Sequence, residues 1–205
     1  DTATDEGAAS PTTTETATTE PTTSQPTTTE PTTTEPTTEA TTTEPTTEEP
    51  TEPPAGTISG QGYVFALPGG WTDVTQQAQA SNPQADVAVA EPATPGEFRM
   101  NFNTVSPTPI PGLSREQLVQ QAETELRSVT NRKVEPLPDE TFDGDSAIGQ
   151  RSTTDASGFE IAIVQYLVVR DGTLYVTTMT YDVDQESEAS AILDGIIESW
   201  TWSDG

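Results

Sequence analysis

The sequence predicts an α+β fold, an antiparallel β-sheet sandwiched by helices, preceded by a disordered N-terminal stalk. Three observations carry that expectation. The first 55 residues contain no Val, Ile, Leu, Met, Phe, Trp or Tyr, and 24 of them are Thr. From Ile58 onward, several short runs alternate apolar and polar residues with a period of two, the mark of half-buried strands. Two later segments repeat apolar residues at spacings of three and four, the mark of amphipathic helices. The order is strands, helix, strands, helix, which suits an antiparallel sheet packed by helices. The division that follows is a linker over residues 1–56 and a folded head over 57–205.

The stalk repeats units such as Thr22–Pro26 and Thr27–Pro31, with runs of Thr mostly closed by Glu-Pro. Such a chain cannot bury enough apolar surface to offset the entropy of ordering. Its Pro content and its like charges favour extended backbone. At about 3.1 Å per residue, full extension reaches on the order of 170 Å, against roughly 40 Å for a free coil. A passive spacer and an O-glycosylated spacer both suit Thr-rich, Pro-spaced composition.

In the head, Gln61–Leu67 reads as a strand with Tyr63, Phe65 and Leu67 on one face, ended by Pro68-Gly69-Gly70. Gln76–Pro83 is polar and reads as turns. Asp86–Ala90 is a second strand with Val87 and Val89 in alternation, followed by a turn over Pro92–Gly96. Phe98–Val105 is a third. Phe98, Met100 and Phe102 face one way, and Arg99, Asn101 and Asn103 face a wetter side. Ser106–Gly112 holds three prolines and reads as an extended loop. Ser114 opens a helix through a capping box with Gln117, with Val119, Ala122, Leu126 and Val129 as its apolar stripe. Arg127 suits the negative end of its dipole. Val134–Leu137 reads as a short strand broken by Pro136 and Pro138, and Asp145–Thr153 as a further strand. Phe159–Arg170 is apolar on both faces and belongs inside the sheet. Asp171-Gly172 supplies a tight hairpin to Thr173–Tyr181. Asp184 caps a last helix whose apolar face is Ala189, Ile192, Leu193, Ile196, Ile197 and Trp200, and Trp202 closes the head.

Composition removes much chemistry. The chain has no Cys and no His. Disulfides, thiol nucleophiles, a Ser-His-Asp triad and His-ligated zinc therefore cannot be built from it. Its net charge is -27. The stalk contributes twelve acids and no base, so the head keeps 22 acids against 7 bases, a net of -15. Neither part can displace counterions from nucleic acid or adhere electrostatically to anionic lipid. No run of apolar residues is long enough to span a membrane.

No candidate site survives comparison with its structural explanation. Asp143-Gly144-Asp145 resembles a fragment of a calcium loop, but the further oxygens such a loop needs are missing, so a turn explains it better. Trp71, Trp200 and Trp202 read as core plugs rather than as a ligand groove. The Pro107–Pro111 stretch reads as a rigid connector rather than a docking lip. A pair of carboxylates acting as acid and base cannot be placed from spacing alone. The expectation is therefore no catalytic residue, no cofactor-binding residue and no metal.

Tyr63-Val64-Phe65-Ala66-Leu67-Pro68-Gly69-Gly70-Trp71 resembles the opening strand and P-x-G-W turn of PsbP/Mog-type domains. Within that superfamily the head resembles the LpqN/LpqT-type lipoproteins of actinobacteria. The resemblance spans about residues 61–202. Phe98–Asn103, Asp171-Gly172-x-x-Tyr175-Val176 and Ile196-Ile197-x-Ser199-Trp200 carry the rest of it. It implies an αβα sandwich and an exported lipoprotein on the outer face of the cell membrane or in the cell wall, anchored through a Cys upstream of Asp1. It also implies a non-catalytic binding or accessory role. The expected partner is an envelope protein or component. A carrier of an apolar ligand in a sheet–helix cavity is the second expectation, and a carboxylate-dependent wall-polysaccharide hydrolase a distant third. The acidic surface points to a monomer.

Overall fold

The computed structural model describes residues 56–203. The stalk expectation and most of the proposed linker, residues 1–56, lie outside them. Ten strands and three helices are formed among the described residues.

Seven strands make one antiparallel sheet in the order β3-β4-β5-β9-β8-β7-β6: β3 (Thr72–Asp73), β4 (Ala85–Ala90), β5 (Asn101–Pro109), β6 (Glu135–Phe142), β7 (Asp145–Ala156), β8 (Phe159–Arg170) and β9 (Thr173–Asp182). Three two-residue turns join β6 through β9: Asp143-Gly144, Ser157-Gly158 and Asp171-Gly172. Both residues of each turn have positive φ, from 43° to 90°. That is the backbone whose twist matches paired strands, and Asp-Gly adopts it cheaply. A second sheet of three strands, β1 (Thr57–Gly60), β2 (Tyr63–Ala66) and β10 (Thr201–Trp202), has β2 at its centre.

Alternation along the strands sorts side chains to two faces. One face carries Val87, Val89, Met100, Phe102, Val164, Tyr166, Met179 and Tyr181, and it packs against the small sheet and α3 (Glu186–Ser199). Trp200 is the pivot of this layer. Its ring stacks on Tyr63 with centroids 4.2 Å apart and on Phe65 at 5.7 Å, and meets Phe142 edge-on at 5.2 Å. Each such pair adds about 0.5–1.5 kcal/mol beyond the area it buries. The Tyr63 ring lies over Gly60, where a Cβ would stand 2.0 Å from the ring, so this turn requires glycine. The other sheet face carries Ile148, Leu167, Leu174 and Val176 under α2 (Arg115–Thr130), which buries Leu118, Ala122, Leu126 and Thr130. The expected sandwich is present.

Several expectations need correction. The stretch read as turns over Gln76–Pro83 is largely a helix, α1 (Thr75–Ser81). Its only apolar residues are Ala78 and Ala80, and it buries no residue, so it has no apolar period to detect. β5 begins at Asn101 and runs on to Pro109 through much of the expected loop, because a register irregularity between Val105 and Thr108 absorbs Pro107. β6 extends to Phe142. It is an edge strand with an irregularity between Leu137 and Glu140, where the missing N–H of Pro138 costs nothing. Val129 is 73 % exposed; the stripe of α2 continues through Thr130, whose hydroxyl donates to Leu126 O and accepts from Ser152. The last helix is preceded by a 3-10 turn over Val183–Gln185 that Asp182, not Asp184, caps. The capping box of Ser114 and Gln117 forms as expected.

Candidate functional site

α1 lies over β4 on the same sheet face as α2, and a groove of about 470 Å³ opens along it. The floor comes from β4 and β5. Ala88 and Ala90 are buried there, and Asn103 and Asn101 lie beside them in register. These are the side chains that strand alternation turns away from Val87, Val89 and Phe102. One wall is α1, through Gln77, Ala78 and Ser81, and the other is Phe98 with Arg99. None of the twelve lining residues is Asp or Glu.

α1 is held by hydrogen bonds rather than by burial. Val74 N donates to Ala88 O at 2.8 Å, Ala88 N to Thr75 Oγ1 at 3.0 Å, and Gln79 Nε2 to Ala85 O at 3.0 Å. These contacts occupy the backbone edge that β4 would otherwise offer beyond its two pairs with β3.

A polar row crosses the sheet towards the groove. Gln150, Gln165, Thr178, Asn103 and Ala88 stand opposite one another on successive strands. Gln150 Nε2 donates to Gln165 Oε1 at 2.9 Å, and Gln165 Nε2 donates to Thr178 Oγ1 at 3.3 Å. The row then reaches Asn103, whose side-chain amide has no hydrogen-bond partner among the described residues. Asn101 donates to Arg99 O at 3.2 Å. The Arg99 guanidinium donates from Nε to Glu91 O at 2.7 Å and from Nη2 to Thr72 Oγ1 at 3.4 Å. The arrangement can seat a small apolar body against alanines and Phe98 while amides and a guanidinium address its polar atoms.

The features weighed in the sequence fall elsewhere. Asp143 Oδ2 accepts from Trp202 N at 2.9 Å and Asp145 Oδ2 from Arg170 Nη1 at 2.8 Å, so that triplet is a turn whose carboxylates have protein partners. Trp71, Trp200 and Trp202 are buried in the core. On the opposite layer, the Tyr63 hydroxyl donates to Asp86 Oδ2 at 2.8 Å and accepts from Thr104, and burial raises its pKa far above the ordinary value. A smaller cleft of about 190 Å³ lies at the start of α2, where Leu113 and Val169 are exposed. The groove escapes sequence reading because its wall is a helix without an apolar stripe. The wet-face triplet Arg99, Asn101 and Asn103 is the signal that points to it.

An antiparallel sheet with α3 and a small sheet on one face and two helices on the other makes an α+β sandwich. No family model and no curated protein matches the chain. Solved structures do. LpqN of Mycobacterium tuberculosis, described as involved in cell envelope biogenesis, superposes with a TM-score of 0.53 at 16% identity, over 72% of this chain and 87% of that one. CyanoP, the cyanobacterial PsbP of Synechocystis, gives a TM-score of 0.49 at 16% identity, over 69% of this chain and 87% of its own. The likeness read from short motifs is thus a likeness of fold.

Proposed function

We propose that the chain is a non-catalytic module of the cell envelope that binds a partner or envelope component in the groove beneath α1. The observation that carries this reading is the composition of the groove. Small apolar residues and amides hold and orient a ligand. Ser81, the hydroxyl in the lining, has no His in the chain to activate it. The fold shared with a protein of envelope biogenesis supports an envelope setting. The Thr/Glu/Pro composition of residues 1–55 supports display on a stalk, with a lipid on a Cys upstream of Asp1 as the anchor. A net charge of -27 opposes self-association and supports a monomer. An apolar ligand enclosed between the sheet and α3 finds that interface filled by Trp200, Phe65 and Phe142, so the groove is where a carried ligand fits.

Photocrosslinking in the host tests the reading. Benzoylphenylalanine at Gln77, on the groove, captures an envelope component; the same group at Glu198, on the opposite layer, does not. Equal capture at both positions, or capture from Glu198 alone, overturns it.

A further inference from the structure

All seven basic residues of the chain lie in the described part, and six of them pair with a carboxylate: Arg115, Arg127, Arg132, Lys133, Arg151 and Arg170. Arg99 is the exception among the described residues. Its two hydrogen bonds go to neutral oxygens, Glu91 O and Thr72 Oγ1. Glu91, whose carbonyl accepts from Arg99, gives its carboxylate Oε1 to Met100 N at 2.7 Å, and Glu97, two residues before Arg99, forms no ion pair with it among the described residues. In a head with 22 acids and 7 bases, a half-buried guanidinium without a carboxylate is a departure from the pattern of the molecule. This one lines the groove beside α1. Further along the same floor, opposite Ala88, the Asn103 amide has no partner among the described residues.

We infer that the groove receives a small organic anion, with its apolar body on Ala88, Ala90 and Phe98 and its oxyanion head on Arg99. This rests on the groove being the binding site, as proposed above, and adds the class of ligand. A guanidinium fork matches a planar carboxylate or a phosphate oxygen pair, and such charge-assisted bonds strengthen away from bulk water. The glutamines and Thr178 of the polar row already satisfy one another, so the cation that can meet an anion in the groove is Arg99. The net charge of the head, -15, repels anions at long range. At physiological salt that field is screened within roughly 8 Å, and contact with Arg99 decides. The repulsion carries a consequence: an inorganic anion with no apolar body gains too little to stay.

The test is a 15N NMR titration of the full chain with hexanoate, hexyl phosphate, neutral hexanamide and inorganic phosphate. At least one organic anion shifts the Arg99 Nε–H resonance and binds ten-fold or more tightly than hexanamide, and the tighter anion identifies the head group. Inorganic phosphate leaves the groove unshifted. Arg99→Gln abolishes the discrimination, and Arg99→Lys retains part of it. If hexanamide binds as tightly as both anions, or Arg99→Gln still discriminates, the anion assignment is wrong while the groove stands. If no probe shifts any groove resonance, the groove itself is not the site.

Discussion

Two buried phenols tie alkaline stability to single side chains. Tyr166 is buried, and burial together with the nearby carboxylates of Glu140 and Asp194 raises its pKa to about 12. Tyr63 is pushed further in the same direction, by burial and by its contact with Asp86. The unfolded value is near 10, so both residues hold their protons more tightly in the folded state. The stability they contribute is whole below pH 10 and is lost as the pH rises above it, for Tyr166 up to about pH 12. Urea unfolding from pH 8 to 12 therefore shows a plateau and then a fall, and Tyr166→Phe makes the fall shallower by one proton's slope. Parallel curves for the two proteins contradict the burial argument. The sequence placed these tyrosines on strand faces and read all three tryptophans as core plugs. Arg99 was legible only as a wet-face residue. That Glu91 turns its carboxylate to Met100 N instead depends on the β4–β5 turn, which no period reveals.

At the scale of elements, legibility follows burial. The hairpins at Asp143-Gly144 and Asp171-Gly172 read directly, because their chemistry sits in two adjacent residues. α2 and α3 read from their apolar stripes, although Val129 misled because Thr130 satisfies its own hydroxyl inside. α1 is illegible for a physical reason. Seven residues, five of them polar, without a side-chain N-cap are marginal alone, and bonds to the β4 edge hold them. Thr75→Ala combined with Gln79→Ala removes two of those bonds. Hydrogen exchange then speeds at least ten-fold at the amides of Ala78, Asn82 and Ala88, while the global urea midpoint moves by about 1 kcal/mol or less, since the opening is local. Unchanged protection at those amides means that something else holds α1.

For the molecule as a whole, charge and layering assign separate tasks. The chain enters the head at β1, in the layer of α3 and the small sheet, and the groove opens on the other face of the large sheet. That face carries amides, alanines and one cation without a carboxylate among the described residues. Composition alone argued the acidic character, the missing thiol and imidazole chemistry and the two-part organisation; the groove needed β4, β5 and α1 brought together. The most direct test of a ligand-binding envelope module is native mass spectrometry of the full chain extracted gently from the envelope of its own host, beside Ala78→Trp, which fills the groove from α1. The wild type carries a stoichiometric small anion released on denaturation, and Ala78→Trp does not. The same bound mass on both proteins, or recovery of the wild type from the cytosol without a lipid anchor, contradicts the account.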